Sequence, residues 1–168
     1  MSDDLDALFE RYDRYIEDSL TKETRDQHKE RSRFFRVDIH NLDEERAHQG
    51  AIFAYIAHSH LSMDLLCEQV RVKLDVAAAV ILRTIKENDP RSVQKGGKTK
   101  DEIDAIIKTD HDYNEILVEL KMKEDKLSHI KADKEASIQK SYMLTSLAGD
   151  KRSEEGMRTW QKKKSEEG

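Results

Sequence analysis

One proline in 168 residues, Pro90, and six glycines leave this chain almost without the residues that end helices and tighten turns. Those two residues normally make up about 5% and about 7% of a protein, and β-sandwiches and barrels draw on them at every turn. The expectation is an all-α fold of long helices, each burying a narrow apolar stripe. Charged residues make up 39% and the apolar set 36%, so the core of such a fold is thin. No run of about 18 apolar residues exists, which excludes a transmembrane helix and points away from a membrane. The start, MSDDLDAL, is acidic and lacks a basic n-region, so no signal peptide is expected. Cys67 is the single cysteine, which excludes an internal disulfide and suits a reducing, cytoplasmic setting.

Spacing then divides the chain. Leu5, Leu8, Phe9, Tyr12, Tyr15, Ile16 and Leu20 recur three and four residues apart and predict a short amphipathic helix. Residues 21–36 have no apolar face and read either as a polar extension of that helix or as a linker. Asn41 with Glu44 is an N-cap pair of the capping-box type. Behind it Ile52, Ile56, Met63, Leu66, Val70, Leu74, Ala77, Ile81 and Ile85 keep helical spacing to Asn88–Asp89–Pro90, where proline stops the helix. Thr99 with Glu102 is a second capping box after the Gly96–Gly97 hinge, and Thr109–Asp110 offers a restart. A stripe from Tyr113 through Leu120, Leu127, Ile130 and Leu144 ends near Ala148, with Gly149 at the position of a helix C′ residue.

Two helices of similar length, 41–88 and about 100–148, with the connection at 89–99, form the pattern of a long antiparallel helical hairpin. The expected organisation is an N-terminal helix and basic linker over 1–36, a hairpin core over 37–149, and a disordered charged tail over 150–168. The first long helix is apolar on more than one face in its second half, where Phe53, Leu61, Leu65, Val72, Val76, Val80 and Leu82 are left over. A surplus centred on Val70, Leu74, Val76, Val80 and Ile81 predicts self-association, because a two-helix hairpin alone is marginal.

Chemistry of the enzymatic kind is missing. There is no phosphate-binding loop of P-loop or Rossmann spacing, and Gly96–Gly97 follows a helix rather than a strand. Cys67 has no CxxC partner and reads as a packing thiol. His60 and Asp64 share a helix face, but a zinc site needs three or four ligands, so neither a metal nor another cofactor is expected. The chain is read as a non-enzyme.

The net charge of -5 conceals strong segregation. Residues 90–100 carry four basic side chains, Arg91, Lys95, Lys98 and Lys100, and no acidic one, whereas 101–120 carry seven acidic and one basic. The basic loop with its two glycines is a candidate for phosphate contact, and Trp160 beside Lys162–Lys163–Lys164 is a competing site for a single strand.

Three stretches carry a resemblance. VDIHNLDEERAHQGAIFAYIAHSHL (37–61), KTKDEIDAIIKTDHDYNEIL (98–117) and IQKSYMLTSLAG (138–149), the last with Lys140, Met143–Leu144, Leu147 and Ala148, resemble the UvsY-type recombination mediators of tailed bacteriophages. The resemblance covers about 37–149. Ser141 stands where relatives often carry arginine, and the first 36 residues and the charged tail lie outside the shared pattern. The resemblance implies an all-helical, ring-forming homo-oligomer, a hexamer or heptamer, without enzymatic activity. It implies single-stranded DNA as ligand, and a RecA-like recombinase and a single-strand-binding protein as partners. Corresponding DNA-binding candidates are Arg71, Lys73, Arg83 and Lys86 together with the following loop, Arg91 to Lys100. The runner-up is a helical assembly or adaptor protein that uses the same stripes without binding DNA.

Circular dichroism of the full chain is expected to show more than half helix, well above the roughly one-third of an average domain. A helix content near that average would refute the all-α reading.

Overall fold

The structure, a computed structural model, describes residues 2–18, 34–88 and 98–166. Every regular element among them is helical: α1 (Ser2–Asp18), a 3-10 turn (Ile39–Asn41), α2 (Leu42–Asn88), α3 (Lys100–Thr109) and α4 (His111–Glu166). No strand occurs among the described residues. Residues 21–33 of the expected linker over 21–36, and residues 89–97 of the expected turn over 89–99 with Pro90 and Gly96–Gly97, lie outside them.

The starts follow side-chain capping. Asp38 caps the 3-10 turn by accepting from the His40 N–H at 3.0 Å, and the Asn41 amide donates to the Glu44 carboxylate at the head of α2. Thr99 and Glu102 form the full capping box: the Thr99 hydroxyl accepts from the Glu102 N–H at 3.3 Å, and the Glu102 carboxylate accepts from the Thr99 N–H at 2.6 Å. Those bonds hold the Glu102 carboxyl below its ordinary range. The restart at Thr109–Asp110 is also present. Asp110 adopts an extended conformation, its carboxylate accepts from the Tyr113 N–H at 3.0 Å, and the Asn114 amide donates back to the Lys108 carbonyl at 2.8 Å.

The expected end at Gly149 is corrected: α4 continues to Glu166, so 150–166 are helical rather than a disordered tail. Gly149 is exposed with open space around it, and one such glycine costs a helix only about 1 kcal/mol relative to alanine. The lysines, arginines, glutamates and methionine beyond it are good helix formers and carry the helix on.

The chain packs as two compact units, 1–60 with 129–168, and 61–128. In the first, α1 lies with the beginning of α2 and the later part of α4. Tyr12, Tyr15, Ile16, Leu42, Ile56, Ile130, Leu144 and Ala148 are buried there. Five rings tie α1 down: Phe9 stacks on Tyr55 with centroids 4.2 Å apart, Tyr12 meets Phe34 edge-on, and Tyr15 lies beside both Tyr12 and Phe34. The Tyr55 hydroxyl donates to Asp13 at 2.6 Å, and burial with this bond pushes its phenol up to about 12.

A buried polar stripe runs through the same unit. Asp133, Ser137 and Lys140, spaced four and three apart on α4, are each at least nine-tenths buried. Each meets a different partner. Asp133 accepts from the Tyr12 hydroxyl at 3.3 Å, and burial together with this carboxylate pushes the Tyr12 phenol above its ordinary range. The Gln49 amide donates to the Ser137 carbonyl at 2.8 Å and to its hydroxyl at 3.0 Å. Lys140 pairs with Glu45 at 2.6 Å and donates to the Phe34 carbonyl at 3.3 Å. Along α2 the partners run backwards, Glu45 to Lys140 and Gln49 to Ser137, so the two helices are antiparallel here.

Replacing Glu45 by Gln strands the buried Lys140 ammonium and is expected to cost about 2–3 kcal/mol, read from the urea midpoint. Lys140→Met, which leaves only the more exposed Glu45 carboxylate behind, is expected to cost less. Equal losses would mean that the ion pair carries no more than the methylenes do.

Candidate association and nucleic-acid surfaces

The second unit, 61–128, holds most of the candidate residues. Its core is a single stripe. Cys67 and Val70 of α2 are buried against Leu120 of α4, with Leu74, Ile116 and Leu127 packed around them. Ile107 of α3 is buried as well. Burial pushes the Cys67 thiol up, which suits an inert packing group. The pairing is again antiparallel, since Arg71 reaches Glu124 while Leu74 lies against the cluster holding Ile116 and Leu120.

This placement corrects the expected association patch. Val70 is 2% exposed and belongs to the core, Leu74 packs against that core, and Ile81 is half-buried. Only Val76 and Val80, each 58% exposed, face outward. They continue a row formed by Leu61, Leu65 and Val72, all more than half exposed. With spacings of four, seven, four and four, this row occupies the side of α2 opposite Cys67 and Val70. It is about 28 Å long at 1.5 Å per residue. On α4, Val118 and Met122 are exposed one turn apart, opposite Leu120. The sequence contains both rows, but the expected patch joins three residues of the inner side, Val70, Leu74 and Ile81, to two of the outer one, because periodicity alone does not say which side the partner helix covers.

The basic candidates separate into paired and unpaired groups. Arg71 donates to Glu124 at 2.6 Å and also to Glu68, and these bonds raise its already high basicity. Arg83 is engaged by Glu87 at 2.7 Å. Both guanidiniums are thereby committed to carboxylates of their own chain. Lys73, Lys86 and Lys100 are exposed and form no ion pair with any described residue, and Lys98 is exposed beside Thr99. Arg91 and Lys95 lie outside the described residues. The partner Glu124 was not anticipated; only the antiparallel register, which brings it opposite Arg71, could have shown it.

Between the last turns of α2, α3 and the start of α4 lies an open groove of about 710 Å³. Its floor is apolar, with Val76, Val80, Ile81, Ile85, Ile106 and Ile116, and its rim carries Lys73, Lys98, Asp110 and Asp112. No group of three or more His, Cys, Asp or Glu side chains converges on a metal-sized site among the described residues. No helix among them is long and apolar enough to cross a membrane.

Comparison with protein-family models, with curated proteins and with solved structures yields no match for this chain.

The two faces of α2 make different demands. Leu120→Ala is expected to destabilise the fold by about 2–5 kcal/mol through the cavity it leaves. Val76→Ser with Val80→Ser is expected to change it by about 0.5 kcal/mol or less per site, measured on dilute protein. A large loss for the valine pair would place them in the core after all.

Proposed function

We propose that this chain is a non-enzymatic, self-associating recombination mediator that binds single-stranded DNA. In this role it helps a RecA-like recombinase load onto strands covered by a single-strand-binding protein. The carrying observation is the juxtaposition in the second unit of an outward apolar row on α2 with lysines that no described carboxylate neutralises, Lys73, Lys86 and Lys100. The resemblance of 37–61, 98–117 and 138–149 to UvsY-type mediators supplies the biological setting.

Self-association follows from the helix faces. Two packed helices bury one stripe each, and here each also keeps an apolar outer face, Leu61 to Val80 on α2 and Val118 with Met122 on α4. Two unlike apolar faces on one protomer favour head-to-tail contacts, and such contacts close into rings when the rotation permits. A ring of six or seven copies, as the resemblance implies, repeats each lysine set around its rim. Contacts too weak to hold a strand singly then combine into tight binding. Phosphate contacts carry no base information, so the binding is sequence-tolerant.

A second reading has its own support. Arg71 and Arg83 are held by Glu124 and Glu87, which withdraws two of the expected cations and suits an adaptor that binds partner helices without DNA.

Titration of binding to a labelled oligonucleotide against salt decides between them. The slope of log affinity on log salt is expected to be about 0.7 for each phosphate neutralised on a single strand. Changing Lys86 and Lys100 together to Ala is expected to flatten that slope while leaving oligomer size unchanged. Arg71→Ala is expected to leave the slope as it is, because that guanidinium already serves two carboxylates. Absence of binding by the intact protein at low salt would replace the mediator with the adaptor.

A further inference from the structure

Two parts of the molecule present apolar side chains to open space. One is the groove of about 710 Å³ in the second unit, whose apolar floor includes Val76, Val80, Ile106 and Ile116. The other is the end of α4. Residues 149–164 are exposed on every side, although a helix polar nearly all round gains little from its own hydrogen bonds in water. Its large apolar groups, Met157 at 59% and Trp160 at 62% exposure, lie three residues apart and therefore share one face. Lys164 covers part of the indole at 5.1 Å, but the rest of the ring stands in solvent.

The geometry points to a single solution: the C-terminal extension of α4 from one copy of this chain fills the groove of the next, with Met157 and Trp160 on its floor. Three features select a second copy over other occupants. Length fits, because Asp150 to Glu166 rises about 25 Å and the groove follows α2 from Lys73 to Asn88, about 22 Å. Charge fits in both signs, because the extension carries Asp150, Glu154 and Glu155 among basic residues from Lys151 to Lys164, while the groove lining holds Lys73 and Lys98 as well as Asp110 and Asp112. That interleaving of acids and bases favours a rim of mixed sign over a polyanion such as DNA. Finally, Val76 and Val80 are the end of the outward row that self-association must cover. The contact joins two different surfaces, so it is head-to-tail and leaves a free groove and a free extension at the ends of any open chain. The inference rests on the self-association proposed above, and not on DNA binding.

The chain's single tryptophan, Trp160, reports on the contact directly. On dilution from assembled protein its emission is expected to shift to the red as the indole returns to water. Trp160→Ala removes the plug and Val80→Glu spoils the groove. Each is expected to weaken assembly at least tenfold by sedimentation while keeping the helical circular dichroism signal, since both positions are more than half exposed. Mixing the two variants is the decisive step. The Val80→Glu chain still has its extension and the Trp160→Ala chain still has its groove, so together they are expected to form a 1:1 complex with blue-shifted emission. A mixture that stays unassociated overturns the inference, as does a Trp160→Ala chain that assembles like the original. Full assembly by Trp160→Ala with intact salt-dependent DNA binding would remove this contact and leave the mediator standing. Assembly through Trp160 without any DNA binding would do the reverse.

Discussion

Lys140 and Glu45, 2.6 Å apart at a site where the lysine is 5% exposed, anchor the first unit, and the polar stripe around them sets how its helices meet. Apolar contacts between long helices are non-directional, and a slip by one turn, about 5.4 Å, exchanges one set of leucines for another at modest cost. The same slip would leave the Lys140 ammonium and the Asp133 carboxylate buried without their present partners, which costs several kcal/mol. The stripe thus selects one register among several that the apolar pattern tolerates. It selects the place of α1 as well, because Asp133 accepts from Tyr12, and it holds the segment ahead of α2, because Lys140 reaches the Phe34 carbonyl.

The second unit is built differently. Its core is a narrow seam of Cys67, Val70, Leu74, Ile116, Leu120 and Leu127, and its polar pairing is at the margin, where Arg71 bridges to Glu124. A partly exposed pair of this kind contributes on the order of 1 kcal/mol or less. Thin burial leaves the outer sides of α2 and α4 apolar, and it is on this exposed surface that the proposed self-association rests.

In the proposed mediator, function belongs to surfaces. Intrachain carboxylates take up Arg71 and Arg83, and of the described candidates the proposed mediator is left with Lys73, Lys86 and Lys100 for a phosphate backbone. A few monovalent contacts per protomer bind a strand weakly at physiological salt, so repetition around an oligomer is what makes such a surface useful. Assembly and DNA binding are therefore coupled in the proposed mediator. The adaptor keeps the first property without the second.

Helix class and several boundaries were legible in the residues alone. The scarcity of proline and glycine demanded helices, Thr99 with Glu102 marked the start of α3, and Asp110 marked the break before α4, because capping depends on groups only three residues apart. Gly149 misled, since one exposed glycine costs too little to end a helix that good helix formers resume. The docking of α1 on Asp133, the pairing of Arg71 with Glu124, and the sorting of Val70 inward from Val76 outward were decided only in three dimensions. Each joins or separates residues through the relative rotation and register of two helices. Periodicity shows that a helix has more than one apolar face, but only the partner helix, by covering Val70 and leaving Val76 in water, determines which face is core.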